Sequence, residues 1–523
     1  MPKQPAEAAL FSLSDKRGAI QVAQALVARG VTIYATGGTR THLVQAGIAA
    51  RDVEDLTGFP SLFDGRVKTL HPKVFGGILA DRGIETHREQ AETYHIAFIS
   101  TVVVNLYPFE ATIARSTATL SEAIEQIDIG GVSLMRAAAK NFAHVTILSD
   151  PSQYGAFLAA AKSGLDEGAR RKLAISAFER TAEYDATIAH YLEGRGEILP
   201  SELPGALTLT LPLAQQLRYG ENPWSRAAFY LGRTEELPEQ LWGKALSYNN
   251  LLDLDATLRL LARAPIGAEI QSRADEFVRA AIVKHTVPCG AAQRSTVGKA
   301  VRDALGADPV SAFGGIIAVD QTLDLEAAQA LSEFFLEIVA APSFEDDALE
   351  LLKKKKNLRV MRYSPHAPEE LRRELRVRSA LGGVLAEEDD PNGPPESWRV
   401  VSKKPPSAQE WHDLAFAWDI VRHVKSNGVV IARNGVTYGI CAGQTNRVSA
   451  VRIAGDRADE NAKGAACASD GFFPFPDGLE EAAATGCTAV IAPEGSMRDQ
   501  EVIDTADRLG IALVFSTHRY FLH

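Results

Sequence analysis

Two neighbouring residues in the C-terminal half could carry out acid–base chemistry on a small molecule. Lys284 and His285 stand together at the end of an apolar run over 279–284. Histidine titrates near neutral pH and can act as a general base, whereas a neighbouring ammonium group stabilises negative charge that develops during a reaction. A Lys-His pair is most often a surface feature, but sites in α/β proteins collect where strands end. We expect a turn and then a helix after His285.

The N-terminal half contains a second set of ionisable residues. The segment DGRVKTLHP places Arg66, Lys68 and Thr69 within four residues, where they could clamp a phosphate or a developing anion. Ordinary surface charge is the alternative. Further along, Asp128 lies in a glycine-containing loop before a predicted helix that carries Lys140.

Two segments with hydroxyl groups or glycines could bind a phosphate. Residues 36–39 (TGGT) follow a predicted strand and precede a predicted helix, so backbone N–H groups, hydroxyls and a helix N-terminus would converge there. A glycine turn with a threonine N-cap would explain the same residues without a ligand. Ser14 and Lys16 end another predicted strand and add a hydroxyl and a cation to the same crevice.

The elements that must position these residues alternate between strands and helices. Residues 9–150 show β-branched runs separated by helical patterns, which is typical of a parallel sheet with βαβ crossovers. A segment rich in glycine and proline follows a helical stretch and marks a boundary near residue 200. We therefore expect one domain over 1–199 and a second α/β domain over 200–523.

The second half contains a diverged repeat with an offset of about 150 residues. The strand ending at Lys284 matches the one ending at Arg433, Ser311-Ala-Phe matches Ser469-Asp-Gly-Phe, and EIVAAPS matches AVIAPEGS. Short matches also arise by chance. The pattern nevertheless favours a duplicated pair of subdomains.

Composition excludes several classes of function. The 523 residues include 55 Lys+Arg and 66 Asp+Glu, and the net charge of −11 argues against binding of nucleic acid or anionic membranes by bulk charge. Four scattered cysteines without a CxxC pair disfavour a disulfide framework and a zinc cluster. With no signal-like N-terminus and no long apolar run, we expect a cytoplasmic protein. The lysine run 353–356 reads as a solvated helix end, and residues 387–407 read as an exposed loop.

The first half resembles the inosine monophosphate (IMP) cyclohydrolase domain of the bifunctional purine-biosynthesis family. The segments DGRVKTLHP, NLYPF, QIDIGG and RAAAKN carry the resemblance by their order and spacing. It implies a methylglyoxal-synthase-like parallel-sheet fold and closure of formyl-aminoimidazole carboxamide ribotide (FAICAR) to IMP with loss of water. The nucleotide site that it implies consists of Ser14, Lys16, Thr36, Gly38, Thr39, Arg66, Thr69, Asn105 and Gly130. The implied catalytic residues are Lys68 and Tyr107, which would stabilise an oxyanion, and Asp128 and Lys140, which would move protons.

Residues 200–523 resemble the transformylase half of the same family, which formylates aminoimidazole carboxamide ribotide (AICAR). The matching segments are KHTVPCG, LRYGENP, NNLLD, SAFGG, KSNGVVIARNG, CAGQTNR, ASDGFFPFPD and THRYFLH. The resemblance implies a duplicated, metal-free, cytidine-deaminase-like fold, 10-formyltetrahydrofolate as formyl donor, and a homodimer. Implied nucleotide contacts are Arg218, Tyr219, Asn250, Phe313, Gly314, Glu337, Asn427, Arg447, Phe521 and His523. Implied folate contacts are Phe472, Pro474, Phe475, Asp477, Ser496, Met497 and Arg519, although a run such as FFPF is otherwise typical of core.

Formyl transfer requires the amine of AICAR to lose a proton as it attacks, and the folate nitrogen to gain one as it leaves. His285 suits the base, and Lys284 can stabilise the oxyanion or serve the leaving nitrogen. Two residues depart from the family pattern. Val287 stands where Asn is usual, and Leu522 stands where a basic residue is usual.

Two other functions remain open. One is a methylglyoxal-synthase-like phosphate lyase fused to a deaminase-like hydrolase. The KTLHP segment and the absence of a second cysteine after Pro288-Cys289 argue against it. The other is a nucleotide sensor without turnover, which the presence of all four key residues disfavours (Lys68, Lys140, Lys284 and His285).

Overall fold

The computed structural model describes residues 7–115, 117–160, 164–194, 203, 206–209, 211–231, 238–263, 277–388 and 397–523. The chain folds as two compact units, Met1–Thr210 and Leu211–His523. The domain boundary expected at residue 199 lies outside the described residues and stays a prediction.

The first unit is built on a five-stranded parallel sheet in the order β3-β2-β1-β4-β5. Its strands are β1 (Ala8–Ser12), β2 (Thr32–Ala35), β3 (Ala50–Asp52), β4 (Ile99–Val104) and β5 (Thr146–Leu148). The helices are α1 (Ala19–Val27), α2 (Gly37–Gln45), α3 (Val53–Thr57), α4 (Pro72–Leu79), α5 (Glu85–Thr93), α6 (Phe109–Ile113), α7 (Leu120–Glu125), α8 (Ile129–Lys140), α9 (Tyr154–Ala159) and α10 (Glu167–Gly194). The parallel sheet expected from the sequence is confirmed.

Both faces of this sheet are covered by helices. Alternate residues of β1 point to opposite faces, so Phe11 packs in one core with α1 and α9, whereas Leu10 packs in another with α4, α8 and α10. A parallel sheet buried on both sides needs apolar residues at every position, which explains the continuous apolar strands in the sequence.

The second unit contains a mixed twelve-stranded sheet and two separate hairpins. The hairpins are β6 (Leu213–Leu217) with β7 (Ala227–Tyr230), and β14 (Arg376–Ala380) with β15 (Gly383–Glu387). The large sheet has the order β16-β21-β20-β19-β17-β18-β10-β9-β11-β12-β13-β8. Its strands are β8 (Glu239–Trp242), β9 (Val278–Lys284), β10 (Val287–Arg294), β11 (Ile316–Val319), β12 (Ile338–Ala341), β13 (Arg359–Arg362), β16 (Trp398–Val400), β17 (Val429–Arg433), β18 (Val436–Cys441), β19 (Ala466–Ser469), β20 (Ala489–Pro493) and β21 (Ala512–Ser516).

Helices cover both faces of the large sheet as well. They are α11 (Tyr248–Leu261), α12 (Val297–Ala307), α13 (Pro309–Ala312), α14 (Leu325–Ser332), α15 (Asp346–Lys353), α16 (Ala367–Arg373), α17 (Ala408–Val421), α18 (Arg447–Ala458), α19 (Asp477–Thr485) and α20 (Asp499–Leu509). Helices α11 and α17 share one apolar core, while α12, α14 and α15 and then α18, α19 and α20 form two cores on the other face.

The second unit repeats one topology twice. The series α11, β9, β10, α12, β11, α14, β12, α15, β13 is matched by α17, β17, β18, α18, β19, α19, β20, α20, β21. The two halves of the sheet meet where β10 pairs with β18. The repeat expected from the strand ends Lys284 and Arg433 is therefore present as a duplicated topology.

Three details of the sequence analysis were wrong. The segment after His285 is strand β10, not a helix, because it closes a hairpin with β9. The expected loop at 387–407 contains strand β16, which extends the sheet beside β21. The match of Ser311 with Ser469 joins non-equivalent positions, since Ser311 lies on the short helix α13 and Ser469 ends strand β19.

Candidate active sites

The expected cyclohydrolase residues collect at the carboxyl edge of the first sheet. The loops after β1, β2 and β4 carry Ser14, Thr36 and Asn105 respectively. Because the strands are parallel, these loops lie at one edge of the sheet, where α/β proteins bind their ligands.

The side chains of Asn105 and Thr39 hold the loop after β1 (residues 13–15) together by hydrogen bonds to its backbone. The Asn105 carbonyl oxygen accepts the N–H groups of Ser14 and Asp15 at 2.7 and 3.0 Å, and its amide donates to the Asp15 carbonyl at 2.7 Å. The Thr39 hydroxyl is 2 % exposed and bonds the backbone of Leu13 in both directions, at 2.9 and 3.1 Å. Both side chains therefore shape the loop rather than offer free polar groups to a ligand.

Other groups at this edge remain available to a ligand. Gly38 lies exposed in the first turn of α2, and the Thr36 side chain makes no capping hydrogen bond to that helix. The Cε atom of Lys16 lies about 4.0 Å from where a Cβ on Gly38 would stand. An ammonium group and a helix N-terminus thus lie side by side, an arrangement that suits a phosphate.

The loop containing Lys68 reaches a neighbouring part of the same unit. The Lys68 ammonium lies 3.1 Å from the carboxylate of Asp52, the residue that ends β3. Burial alone would raise the pKa of Asp52, but hydrogen bonds from the Glu54 N–H and from Lys68 hold that pKa below its ordinary value. Arg66 pairs with Glu125.

Thr69 and Gly130 connect this loop to helix α8. The Thr69 hydroxyl lies so close to Gly130 that a Cβ there would stand 2.9 Å from Thr69 Oγ1. Any side chain at position 130 would push the loop away. The glycine pair in the first turn of α8 therefore brings the Lys68 loop next to Asp128, the N-cap of this helix.

Asp128 lies in an environment that favours its protonated form. Burial raises its pKa, although hydrogen bonds from the N–H groups of Gly131, at 2.6 Å, and Tyr107 oppose that shift. The Tyr184 hydroxyl accepts the Asp128 N–H at 2.8 Å and fixes the loop. Burial, together with the Asp128 charge, raises the pKa of the Tyr107 phenol, so Tyr107 stays a neutral donor.

Lys140 lies at the opposite end of α8 from Asp128. The helix between them runs from Ile129 to Lys140, so at about 1.5 Å per residue the two Cα atoms are about 18 Å apart. Lys140 lines a cavity of about 600 Å³ formed mostly by apolar side chains of α4, α8 and α10, among them Leu79, Ile175 and Phe178. The structure therefore does not bring Lys140 to Asp128 within one copy of the chain.

In the second unit, the expected transformylase residues lie at one edge of the large sheet. Lys284 pairs with Val287 on β10, and Val429 pairs with Cys441 on β18. Three antiparallel pairings separate β9 from β17, so the end of β9 and the start of β17 share an edge. Lys284 and Val429, two residues after Asn427, therefore lie at the same edge on strands that are three positions apart in the sheet.

Lys284 and His285 occupy a tight turn between β9 and β10. The Lys284 ammonium donates to the Phe313 carbonyl at 2.7 Å, and the His285 side chain is exposed. Asp253 on α11 accepts the N–H groups of His285 and Thr286 at 3.2 and 2.6 Å. The cation and the imidazole thus stand together at the sheet edge, beside the exposed ring of Phe313.

Arg447 is held by a buried carboxylate that directly follows β19 and lies beside the residue before β17. Asp470 is fully buried and pairs with the guanidinium of Arg447, which also donates to Ser469 Oγ at 3.1 Å. The Ser426 hydroxyl donates to the other Asp470 oxygen. The Asn427 amide donates to the Gln444 carbonyl at 2.6 Å.

The C-terminal tail is fastened to the same residues. The Tyr520 N–H donates to the Asp470 carbonyl at 3.0 Å, and the Ser426 N–H donates to the Leu522 carbonyl at 2.9 Å. A Cβ on Gly471 would stand 2.8 Å from the Phe521 ring. The expected contacts Asn427, Arg447 and Phe521 are therefore neighbours, and the His523 carbonyl accepts from Arg378 at 2.8 Å.

The remaining expected nucleotide contacts take part in local structure. Asn250 forms the capping box of α11 with Ser247, and Glu337 pairs with Arg359 at 2.7 Å. Gly314, with φ of 77°, follows Phe313 in the turn before β11. Arg218 lies over the Tyr219 ring at 4.8 Å.

The expected folate contacts form an exposed group near α19. Phe475 is half exposed with the Arg498 guanidinium 4.7 Å from its ring centre, and Met497, which precedes Arg498 in the chain, is fully exposed. Of the FFPF run, Phe473 belongs to the core, so the run divides between core and surface. An exposed aromatic ring with a cation over it suits a flat heterocycle with an acidic tail. The other expected members are Phe472, Pro474, Asp477, Ser496 and Arg519, the last lying over the Phe521 ring.

The sequence analysis missed the buried or half-buried acids that hold the expected cations and turns. Asp52, Asp253 and Asp470 each contact a residue that motif matching singled out. Asp253 and Asp470 lie inside quoted motifs (NNLLD and ASDGFFPFPD), but nothing in one sequence pairs them with their partners. Within the described residues, no group of three or more His, Cys, Asp or Glu side chains is placed to hold a metal ion. No helix in the same part of the chain is long and apolar enough to cross a membrane.

Comparison with known proteins identifies the family of the chain. The model of the AICARFT/IMPCHase bienzyme family matches residues 138–457, and that of MGS-like domains matches residues 18–133. Proteins named bifunctional purine biosynthesis protein PurH are similar over 98 % of this chain and 99 % of their own. They are 46 % identical in Desulfitobacterium hafniense and Halalkalibacterium halodurans, and 45 % identical in Anoxybacillus flavithermus. A solved structure titled "Crystal structure of ForH" aligns with 36 % of this chain and 99 % of its own, at 35 % identity and a TM-score of 0.31. The chain therefore belongs to the AICARFT/IMPCHase bienzyme family of bifunctional purine-biosynthesis enzymes.

Proposed function

We propose that this chain converts AICAR to IMP in two steps, formyl transfer in the second unit and ring closure in the first. The observation that carries the proposal is the placement of Lys284, at the end of β9, next to His285 in the exposed turn that follows at the sheet edge. A base and a cation are what the attack of a weakly nucleophilic amine on a formyl group requires.

His285 accepts a proton from the AICAR amine as its nitrogen bonds to the formyl carbon. The bond between that carbon and the folate nitrogen then breaks, and the folate nitrogen takes up a proton as it leaves. Lys284, held by the Phe313 carbonyl, stabilises negative charge on the formyl oxygen. 10-Formyltetrahydrofolate, when bound, supplies the formyl group, and the exposed Phe475 with Arg498 fits its flat ring. Arg447 and Asn427 are placed to bind the nucleotide.

In the first unit, ring closure joins the carboxamide nitrogen of FAICAR to the formyl carbon and releases the formyl oxygen as water. Lys68 and Tyr107 stabilise charge on that oxygen, and the carboxyl group of Asp128, whose pKa is raised above its ordinary value by burial, exchanges protons with the reacting groups. The α2 N-terminus with Lys16 binds the phosphate.

The direct test supplies AICAR and 10-formyltetrahydrofolate to the purified chain and follows FAICAR and IMP by chromatography. Wild type should form IMP, and His285→Ala should abolish formylation while still closing added FAICAR. Asp128→Ala should accumulate FAICAR. Folded wild-type protein that forms neither product would refute the proposal.

We also propose a homodimer in which Lys140 reaches the Asp128 site of the second copy. The separation of about 18 Å along α8 supports this, as do the exposed apolar side chains near Lys140. The test mixes Lys140→Ala with Asp128→Asn during co-expression, since each variant alone should be inactive. Shared sites would restore cyclohydrolase activity in the mixed dimer, whereas sites contained in one copy would stay inactive.

The proposal also includes the cellular location and the small-molecule partners of the protein. The four cysteines are free thiols, and three of them are buried, which supports a reducing, cytoplasmic location. AICAR, FAICAR, IMP and folate are the proposed small-molecule partners.

A further inference from the structure

The two halves of the duplicated sheet contain equivalent hairpin turns with different residues. In the second repeat, the turn between β17 and β18 is Asn434-Gly435, with φ of 52° and 67°. In the first repeat, the turn between β9 and β10 is His285-Thr286, with φ of 56° and 60°. Two-residue turns of this type need left-handed conformations at both positions, and Asn-Gly is the pair that adopts them most easily.

The first turn is therefore strained, whereas the second is not. Threonine branches at Cβ and is a rare residue at positive φ. Such conformations persist only where the surroundings enforce them, and they concentrate at functional sites. Thr286 in this conformation thus requires an external restraint that Gly435 does not.

A carboxylate supplies that restraint. Asp253 is the sixth residue of α11, and both of its oxygens accept turn N–H groups, from His285 at 3.2 Å and from Thr286 at 2.6 Å. Asp413 is the sixth residue of α17, and one oxygen accepts the Gly435 N–H at 2.9 Å. The other Asp413 oxygen accepts from Gln409 at 3.1 Å. The same helix position thus supports both turns, and in the first repeat the whole carboxylate is used on the turn.

From this comparison we infer that Asp253 is a positioning residue for formyl transfer. It holds the strained His285-Thr286 turn in the one conformation that presents the imidazole beside Lys284. This inference rests on the proposed function, because it assigns Asp253 a role through His285. The second repeat has kept the frame of the turn without the catalytic residues.

The test compares Asp253→Asn with Asp413→Asn, the same change at the equivalent position. The two turn N–H groups donate to different oxygens of Asp253, and Asn replaces one of those oxygens by an NH2 donor. Asp253→Asn should therefore lower the transformylase kcat about 10- to 100-fold with little change in KM for AICAR, as expected for misplacement of a base. Cyclohydrolase activity on added FAICAR should not change. Asp413→Asn should leave both activities within about twofold of wild type.

A second variant separates positioning from loss of folding. Thr286→Gly removes the strain, so Asp253→Asn/Thr286→Gly should recover about tenfold of the kcat that Asp253→Asn loses. Hydrogen exchange at the turn should be faster in Asp253→Asn than in wild type, and this measurement does not depend on activity.

The outcomes are distinguishable. A wild-type kcat in Asp253→Asn, an equal loss in Asp413→Asn, or no rescue by Thr286→Gly would overturn the inference alone. A wild type that binds AICAR but never formylates it would overturn the proposed function. In that case hydrogen exchange at the turn still tests whether Asp253 restrains it. Unchanged exchange in Asp253→Asn would overturn this restraint, and faster exchange would support it.

Discussion

Replacing Asp470 by Asn should destabilise the second unit and weaken AICAR binding together. Asp470 is fully buried and Arg447 is 9 % exposed, so the substitution leaves a guanidinium charge with no counter-charge in a desolvated position. Removing one partner of a buried ion pair costs about 3–5 kcal/mol. At about 2 °C per kcal/mol for a large domain, the melting temperature should fall by about 6–10 °C.

A second charge change tests this reasoning. Arg447→Met in the Asp470→Asn background removes the unpaired charge, so the double variant should recover most of the lost melting temperature but none of the transformylase activity. Glu481→Gln is the matched control. Glu481 lies on α19 and pairs with Arg452, which lies on α18, the helix that also carries Arg447. That pair is at the surface, so its loss should cost less than about 1 kcal/mol.

The assay is calorimetry combined with separate rate measurements on AICAR and on FAICAR. Asp470→Asn should raise KM for AICAR, since Arg447 and Asn427 are the proposed nucleotide contacts, and should leave FAICAR closure unchanged. The reasoning fails if Asp470→Asn melts at the wild-type temperature, or if the double variant is less stable than the single one.

Three further predictions concern single side chains. Hydrogen bonds from the Glu54 N–H and Lys68 hold the pKa of Asp52 below its ordinary value of 3.8, against the effect of burial. The ionised Asp52 therefore stabilises the fold above that value, and this stabilisation is lost as pH falls through the folded-state pKa. Urea unfolding should therefore show Asp52→Asn less stable than wild type near neutral pH and equal to it in strong acid, with slower cyclohydrolase turnover at neutral pH. Burial raises the pKa of Asp128, so its charged form is unfavourable in the fold. Asp128→Asn, which can still cap α8, should raise the melting temperature near neutral pH, by about 2–4 °C for each kcal/mol gained, and the gain should vanish in acid. Lys355 donates to the carbonyls of Leu331 and Phe334 at 3.2 and 2.5 Å, and Lys355→Met should lower unfolding free energy by about 1–3 kcal/mol in the same urea assay, whereas Lys354→Met should not.

Strands and helices with a clear hydrophobic pattern could be predicted from the sequence, whereas elements set by distant partners could not. The strand expected at 279–284 is observed as Val278–Lys284, because its residues are apolar throughout. Strand Trp398–Val400 is only three residues long and stands in a stretch of sequence rich in proline and charged residues, and it exists because β21 offers a free edge. Lys355 was read as part of a solvated helix end, yet it caps a helix formed some 24 residues earlier. Pairing of this kind leaves no local signal.

The same division holds for the candidate sites. The residue pattern singled out Lys68 in a loop and Lys284 at a predicted strand end, and the family resemblance added Arg447. It did not identify the acids that hold Lys68, Arg447 and the turn after Lys284, because each acid lies on a different element from its partner. It also assigned Asn105 to ligand binding, although the amide is occupied by the backbone of residues 14–15. A polar residue at a strand end indicates the edge of a sheet. It does not indicate whether the side chain bonds the protein's own backbone or a ligand.

The duplicated sheet explains why the repeat is so hard to see at the functional residues. An odd number of antiparallel pairings between β9 and β17 puts the end of one strand and the start of the other at the same edge. The site edge therefore combines His285, from a hairpin turn in the first repeat, with Asn427, from a strand entry in the second. Equivalent positions fall at opposite edges, so selection on one edge acts on different positions of each repeat. The turn of the second repeat is therefore the unstrained pair Asn434-Gly435, whereas the equivalent turn of the first repeat is His285-Thr286. The two repeats share their topology although their sequences differ at these positions.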